Sequence, residues 1–122
     1  MKPVIYNVGP LVAFLCPRDE HHGWVRDVFT QIPSGGFVCE AVLSEVSYLV
    51  AKEGVAHGKV IEFVLEGGVE VVPIGAELPT IRDLLNRYAD VLMDFADACI
   101  VRLTEIHPGA SVCTKLNPGR HE

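Results

Sequence analysis

The sequence predicts an α/β protein with a central parallel sheet of four or five strands flanked by helices. Four short apolar runs alternate with longer segments in which apolar residues recur at helical spacing. Strands that are apolar throughout are typical of a parallel sheet covered on both faces. The 122 residues correspond to one domain. Residues 115–122 have no periodicity and are expected to form a loose tail.

The first third of the chain is expected to form a strand, two helices and a second strand. Residues 2–7 are mostly apolar and stop before a Gly-Pro pair, whose proline suits the first turn of a helix over residues 10–15. A break rich in charged residues precedes a second helix over residues 21–31. A Pro-Ser-Gly-Gly loop then leads to a short strand over residues 37–39.

The middle of the chain carries the clearest helical signal. Residues 40–52 have valine at every fourth position, which places one apolar stripe on a helix. A further helix is expected over residues 54–66, and a pair of glycines ends it. The valine-rich residues 69–74 then form the third strand.

Two helix starts are predicted in the last third. Thr80 followed by Asp83 resembles a capping box, with Asp in place of the preferred Glu. Asp94 stands where a helix takes its N-cap, and Asp97 falls at the third helical position. Residues 110–114 form the last predicted strand.

Three acidic side chains occupy positions that suggest a catalytic or ligand-binding role. Glu45 stands on the apolar stripe of its helix, where a carboxylate is costly unless it has a partner or lines a cleft. Asp94 and Asp97 share one face at the positive end of their helix. Capping alone explains this pair, and it would stabilise the helix by about 1 kcal/mol or less for each residue. The case for a functional site therefore depends on Glu45.

These acids and two strand ends are expected to converge. In a parallel α/β sheet, ligands bind outside the carboxyl ends of the strands, where the next helices begin. Asn7 and Thr114 end the first and last predicted strands. Glu45 lies in the second turn after the second strand, and Asp94 and Asp97 open a helix. We expect all five at one edge of the sheet.

Composition limits the classes of partner. The net charge is −6, with sixteen acids against ten bases, and no basic patch of a duplex-groove binder is visible. A nucleic-acid substrate is compatible with this charge if metal ions bridge phosphates to carboxylates. The four cysteines have no Cys-x-x-Cys spacing and indicate buried thiols in a reducing cytoplasm. No signal peptide or membrane-length apolar run is recognised.

Taken together, the order of these segments resembles the PIN domain. The most specific pieces are Asn-Val-Gly-Pro-Leu-Val at residues 7–12 and Asp-Phe-Ala-Asp-Ala at residues 94–98, with Glu45 between them. The chain is most similar to the small single-domain toxins of VapBC toxin–antitoxin systems. The resemblance implies a three-layer sandwich, an acid cluster that holds Mg²⁺ or Mn²⁺, and endoribonuclease activity. It also implies a homodimer and an antitoxin that plugs the site.

The same resemblance assigns roles to the candidate residues. Glu45 and Asp97 correspond to metal-holding acids, with Asp94 as an additional ligand and Asn7 at the position of a further one. Independently of the resemblance, Thr114 is a candidate to hydrogen-bond a metal-bound water or a phosphate oxygen, although a threonine at a strand end is as often only a β-branched strand residue. Mg²⁺ suits such a site because it keeps several waters and needs only a few carboxylates.

The chain departs from the family pattern at two positions. The family has an acid where Asn7 stands, and its fourth acid falls here on Leu116, next to Asn117. An amide oxygen ligates a hard cation but carries no charge, and leucine provides no ligand. Both changes are expected to weaken metal binding.

Two other functions compete with the nuclease. A PIN fold without catalysis would act as a binding or dimerisation module, which Asn7 and Leu116 favour and Glu45 and Asp97 oppose. A phosphoacceptor signalling domain has the same length and α/β order. It requires an acidic pair after the first strand and an aspartate ending a central strand, where this chain has Asn7 and Cys39, so it is set aside.

The apolar content also bears on assembly. Apolar residues make up 49% of the chain, and the helix over residues 21–31 carries Trp24, Val25 and Phe29. We expect this helix to leave apolar surface uncovered, which a second copy would bury.

Overall fold

A computed structural model describes residues 2–113, in which four strands form one parallel sheet in the order β3-β2-β1-β4. The predicted α/β class is confirmed. The strands are β1 (Val4–Tyr6), β2 (Phe37–Val38), β3 (Glu70–Val71) and β4 (Ser111–Cys113). The helices are α1 (Val8–Leu15), α2 (His22–Thr30), α3 (Glu40–Lys52), α4 (Gly58–Gly67), α5 (Leu78–Arg87) and α6 (Phe95–Ile106), and a 3₁₀ turn (Gly75–Glu77) precedes α5.

Because the strands are parallel, all their carboxyl ends lie on one side of the sheet and all their amino ends on the other. Ile5 of β1 is in register with Phe37 of β2 and with Val112 of β4, so the central strand has neighbours running in its own direction on both sides. The carboxyl ends of the strands therefore lie together, and we call this side of the sheet the carboxyl edge. The helices that follow the strands begin there.

The core lies where helices cover this sheet. Ile5 is fully buried on β1, and Val42, Val46 and Val50 are fully buried on α3, as the valine spacing predicts. Leu103 on α6 is buried with them in the same cluster. None of the helices within residues 2–113 is long and apolar enough to span a bilayer.

Helix α2 is packed inside the chain rather than left uncovered. Val25 is fully buried, and the ring of Phe29 stacks on that of Phe14, with 4.7 Å between centroids. Tyr6 and Phe63 complete this aromatic cluster through edge-to-face contacts. The apolar face on which the expected homodimer was based is therefore largely covered by the chain itself.

Several predicted boundaries are wrong for local physical reasons. Helix α1 begins at Val8 rather than at residue 10, because Asn7 leaves the first strand and caps the helix. Helix α5 begins at Leu78, with Pro79 in its first turn, so Thr80 lies inside the helix and caps nothing. Pro79 has no N–H and needs no cap at that position.

The other discrepancies concern lengths. Strand β3 has two residues instead of the predicted six, because its neighbour β2 offers only two residues to pair with. Helix α4 begins at Gly58, four residues later than predicted. The N-cap predicted at Asp94 is confirmed, and Asp97 at the third helical position closes a capping box with it, which was not predicted from the sequence.

A glycine in the loop before β2 should be sensitive to substitution. Gly36 has φ +95°, and a Cβ there would lie 2.6 Å from the carbonyl oxygen of Val4. Gly54 also has positive φ, +82°, but a Cβ there meets nothing within 4 Å. We expect Gly54→Ala to cost about 1–2 kcal/mol for the left-handed backbone alone, and Gly36→Ala to cost about 1–3 kcal/mol more for the clash.

Urea unfolding of the two variants measures this difference, because each glycine controls for the backbone strain of the other. Equal free energies of unfolding would contradict the close approach of residue 36 to β1.

Candidate functional site

Asn7 stands directly after the central strand, at the carboxyl edge. Its backbone is extended, and its side-chain Oδ1 accepts a hydrogen bond from the Val8 N–H at 2.8 Å. The single side-chain oxygen of Asn7 therefore already accepts a hydrogen bond as the N-cap of α1. An aspartate at this position would make the same hydrogen bond and would add a negative charge, which the helix dipole favours.

Asp94 and Asp97 hold each other in place at the start of α6. Oδ1 of Asp94 accepts from the Asp97 N–H at 2.8 Å, and Oδ2 of Asp97 accepts from the Asp94 N–H at 3.1 Å. This reciprocal pair is a capping box. Each carboxylate uses one oxygen in the box, so its second oxygen is left to bind another group.

Glu45 is the acid that capping does not explain. It lies in the second turn of α3 and is half-buried. Its pKa is raised above the ordinary value, first by burial and then by the negative charges of Asp94 and Asp97. The carboxylate of α3 and the acid pair of α6 therefore interact electrostatically, although they are distant in the sequence.

The topology explains why these elements meet. Helix α3 follows β2 and begins at the carboxyl edge. Helix α6 leads into β4 and runs against the strand direction, so its first turn lies at the same edge. Thr114, Leu116 and Asn117 lie outside the described residues.

The donor set suits a hard divalent cation. Carboxylate and amide oxygens are the ligands that Mg²⁺ prefers, and Mg²⁺ often takes only one or two carboxylates, with water and substrate phosphate as its other ligands. The like charges around Glu45 would be relieved by such an ion. Within residues 2–113, no three His, Cys, Asp or Glu side chains lie close enough together to bind a metal ion. A metal site among these residues would therefore rely on at most two of the acids, with water and substrate as its other ligands.

A surface cavity of about 640 Å³ lies elsewhere on the molecule. It is lined by residues around the end of α1 and the start of α4, including Phe14, His22, Glu53 and Lys59. None of the candidate acids lines this cavity. His22, one of two adjacent histidines, uses its Nδ1 to bond the Ala13 carbonyl at 2.9 Å, which fixes its ring against α1.

Exposed aromatic side chains near the acids were missed by sequence reasoning. Tyr48 lies one turn after Glu45, Phe95 follows Asp94 directly, and both are exposed. Apolar spacing does not separate these rings from core rings, since Phe29 has similar neighbours and is covered. The signal that could have drawn attention to Tyr48 is its position three residues after the candidate acid Glu45 on the same helix.

A family model of the PIN domain matches residues 9–115, which is most of the chain. The chain belongs to the PIN domain family. The resemblance inferred from residues 7–12 and 94–98 is therefore confirmed. The matched range includes Glu45 and both aspartates of α6, and it begins two residues after Asn7.

The fold of this PIN domain is also similar to a solved toxin structure. The crystal structure of Mycobacterium tuberculosis VapC20, described as a sarcin–ricin loop cleaving toxin, superimposes with a TM-score of 0.79. The match covers 91% of this chain and 89% of VapC20, at 18% sequence identity. A search of curated protein sequences gave no significant match.

Glu45 should make stability depend on pH. Because its pKa is raised in the folded state, ionisation costs more in the folded chain than in the unfolded one, and stability falls as pH rises above the ordinary value of 4.5. Glu45→Gln removes this cost. Without metal, we expect the variant to melt at a higher temperature than the unaltered protein near neutral pH, and the difference to shrink at acidic pH.

Thermal melting in EDTA at a series of pH values measures the effect. Glu66→Gln, which changes an exposed acid on α4, is the matched control and should not give the same pH-dependent gain. A constant difference between the Glu45 variant and the unaltered protein at all pH values would contradict the electrostatic coupling.

Proposed function

We propose that this PIN domain, acting as a single domain over residues 1–122, is a metal-dependent endoribonuclease that hydrolyses phosphodiester bonds in RNA. The observation that carries the proposal is the match of the PIN family model over residues 9–115, within which Glu45, Asp94 and Asp97 lie on helices that begin at the carboxyl edge. A half-buried acid with two acidic neighbours is unfavourable for folding alone. Such an arrangement is typical of a site that binds a cation, and the family makes a nuclease the best-supported use of it.

Glu45 and Asp97 are the proposed metal-holding residues, and Mg²⁺ or Mn²⁺ is the proposed ion. A bound ion of this kind lowers the pKa of water and neutralises charge on a phosphate. Asp94, expected from the sequence as an additional ligand, is proposed to act through Asp97, which it orients through the capping box. Asn7 contributes at most an uncharged amide oxygen. Thr114 is proposed to hydrogen-bond the substrate phosphate or a metal-bound water.

The toxin of a toxin–antitoxin pair is the proposed biological setting. The similarity to VapC20 over nearly the whole length of both chains supports it. An antitoxin protein that covers the acids and a homodimer are then the proposed partners, and the cytoplasm is the proposed location. Because α2 is largely covered, the surface proposed for the homodimer is the loop before α6, where the apolar residues Val91 and Leu92 are exposed.

A PIN fold without catalysis is the competing proposal, and two observations favour it. Asn7 supplies no charge where the family has an acid. Asp94 and Asp97 already satisfy each other through the capping box, and no group of three acids within residues 2–113 is close enough to hold a metal. In that case the carboxyl edge would serve only to bind a partner.

Metal-dependent stabilisation separates these proposals. We expect Mn²⁺ to raise the melting temperature of the unaltered protein, since an ion that binds only the folded state stabilises it by mass action. Glu45→Gln should abolish the rise, whereas Glu66→Gln on α4 should retain it. Asn7→Asp should enlarge the rise, because it restores a charge at the carboxyl edge without losing the cap of α1. The measurement is thermal melting in EDTA and in Mn²⁺.

Cleavage of a labelled single-stranded RNA, followed on a gel, is the direct assay of activity. We expect cleavage in Mn²⁺ or Mg²⁺, faster with Asn7→Asp and absent when Glu45→Gln is added. If neither the unaltered protein nor the Asn7→Asp variant cleaves RNA or gains stability from metal, the module without catalysis is the better account.

A further inference from the structure

The cavity of about 640 Å³ is separate from the candidate acids. It lies between the end of α1, the start of α2 and the loop that joins α3 to α4. Its volume is that of pockets that bind small organic molecules, which measure about 300–1,000 Å³. Such pockets have mostly apolar walls and a few polar groups at defined positions.

Most of the residues that line the cavity are apolar. Phe14 and Val55 are partly buried in its wall, and Cys16 is 2% exposed. The ring of Phe14 stacks on Phe29 and makes an edge-to-face contact with Phe63. The apolar wall is therefore anchored in a packed aromatic cluster and offers a ligand a fixed surface.

One side of the cavity is the turn that ends α3. The Gly54 N–H donates to the Ala51 carbonyl at 3.0 Å, and Gly54 has φ +82°. The Val55 N–H donates to the Val50 carbonyl at 3.0 Å. These two bonds form a Schellman motif, in which the residue after the glycine packs back on the helix. Val55 packs against the core in this way, so the turn is fixed without a ligand.

Another side of the cavity is the turn that ends α1. The Asp19 N–H donates to the Cys16 carbonyl at 2.9 Å, and Pro17 takes the second position of this turn, where its fixed φ is favourable. Nδ1 of His22 bonds the Ala13 carbonyl at 2.9 Å. Because a carbonyl oxygen only accepts, Nδ1 carries a proton. Nε2 is then the ring nitrogen of His22 that is left for a ligand.

The cavity carries a net positive charge in an acidic protein. Arg18 and Lys59 line it together with one acid, Glu53, whereas the whole chain has sixteen acids against ten bases. Within residues 2–113 the Arg18 guanidinium forms no ion pair. Lys59 lies 3.7 Å from Glu62, but both side chains are mostly exposed, and such a pair contributes little to stability. Both cations can therefore bind an anion.

We propose that this cavity binds a small organic acid with an apolar body. Arg18 and Lys59 bind its carboxylate or phosphate, and Nε2 of His22 is a further hydrogen-bonding partner. Phe14 and Val55 contact the apolar body. An anion is favoured over a cation because two bases face one acid, and an organic acid is favoured over an inorganic ion because most of the wall is apolar. The inference goes beyond the proposed nuclease and does not depend on it.

A second copy of the chain or an apolar segment of a partner protein is the alternative occupant. The centres of protein interfaces are depleted in charged residues. Two cations, a carboxylate and an imidazole line this cavity, which favours a small charged ligand over an apolar protein segment.

The first test uses the dye 8-anilinonaphthalene-1-sulfonate, an aromatic anion whose fluorescence rises on binding, with the full chain of 122 residues. We expect saturable binding of one dye per chain. Octanoate should displace the dye, whereas octylamine, with the same chain and the opposite charge, should displace it poorly. Hexanoate should bind more weakly than octanoate, by up to about four-fold for each CH₂ removed. Octyl phosphate in place of octanoate shows whether the site prefers a phosphate or a carboxylate.

The second test changes the cations. Arg18 and Lys59 are exposed, so Arg18→Gln and Lys59→Gln are expected to leave the fold intact. The double variant should bind octanoate at least ten-fold more weakly, because it loses hydrogen bonds to a charged group. Octanoate should raise the melting temperature of the unaltered protein by mass action and should not raise that of the double variant. Arg82→Gln removes a cation on α5 that does not line the cavity and is the matched control.

Three results overturn the inference. Displacement by octylamine as strong as that by octanoate would indicate a general apolar surface of the kind that a partner protein covers. Octanoate binding that is unchanged in the double variant would exclude a role for the cations. Dye binding that falls as light scattering shows a dimer would assign the cavity to a second copy. RNA cleavage is measured separately in the double variant, and unchanged cleavage with lost octanoate binding would show that the two sites are independent.

Discussion

The parallel direction of the strands is the constraint on which the candidate site depends. The chain leaves β1 and β2 at the same edge, so Asn7 and the start of α3 lie there. Helix α6 leads into β4 and must begin at that edge to reach the strand in the right direction. The charges of Asp94 and Asp97 consequently act on Glu45. Reversing β2 or β4 would move Glu45 or the aspartates of α6 to the opposite edge, and reversing β1 would move Asn7 there.

The acid pair of α6 serves the fold whether or not it serves a reaction. The capping box satisfies two backbone N–H groups at a helix start, which explains why both aspartates are tolerated without metal. Their presence alone is therefore weak support for a site. Glu45 is stronger support for a functional site, because it caps no helix and lies on a partly buried flank of α3. Burial, and then the charges of Asp94 and Asp97, raise its pKa and so make its ionisation unfavourable.

The sequence predicts the order of elements well because each signal is local. Alternating apolar runs indicate the parallel sheet, every fourth valine indicates α3, and two aspartates three residues apart indicate the start of α6. Strand length is not local, since the two residues of β2 limit β3 to two residues as well. The cap predicted at Thr80 fails for a related reason, because Pro79 allows the helix to start earlier than the polar pattern indicates.

The placement of the acids at one edge can also be predicted from the sequence. It requires only the direction of the strands and the position of each acid relative to a strand end. Side-chain exposure does not follow in this way. Phe29 and Tyr48 both lie among apolar neighbours on helices, yet within residues 2–113 the ring of Phe29 stacks on Phe14 whereas Tyr48 is exposed. Exposure is decided by which helix packs where, and this is a property of the whole fold.

Net charge places a physical demand on any RNA-cleaving role for this protein. A chain with a charge of −6 and clustered acids repels a polyanion at distances within the screening length, about 8 Å at physiological salt. A divalent ion on Glu45 and Asp97 would reverse the sign of the potential only close to the acids. Binding of an RNA strand farther from the acids would therefore have to come from contacts that do not depend on the net charge.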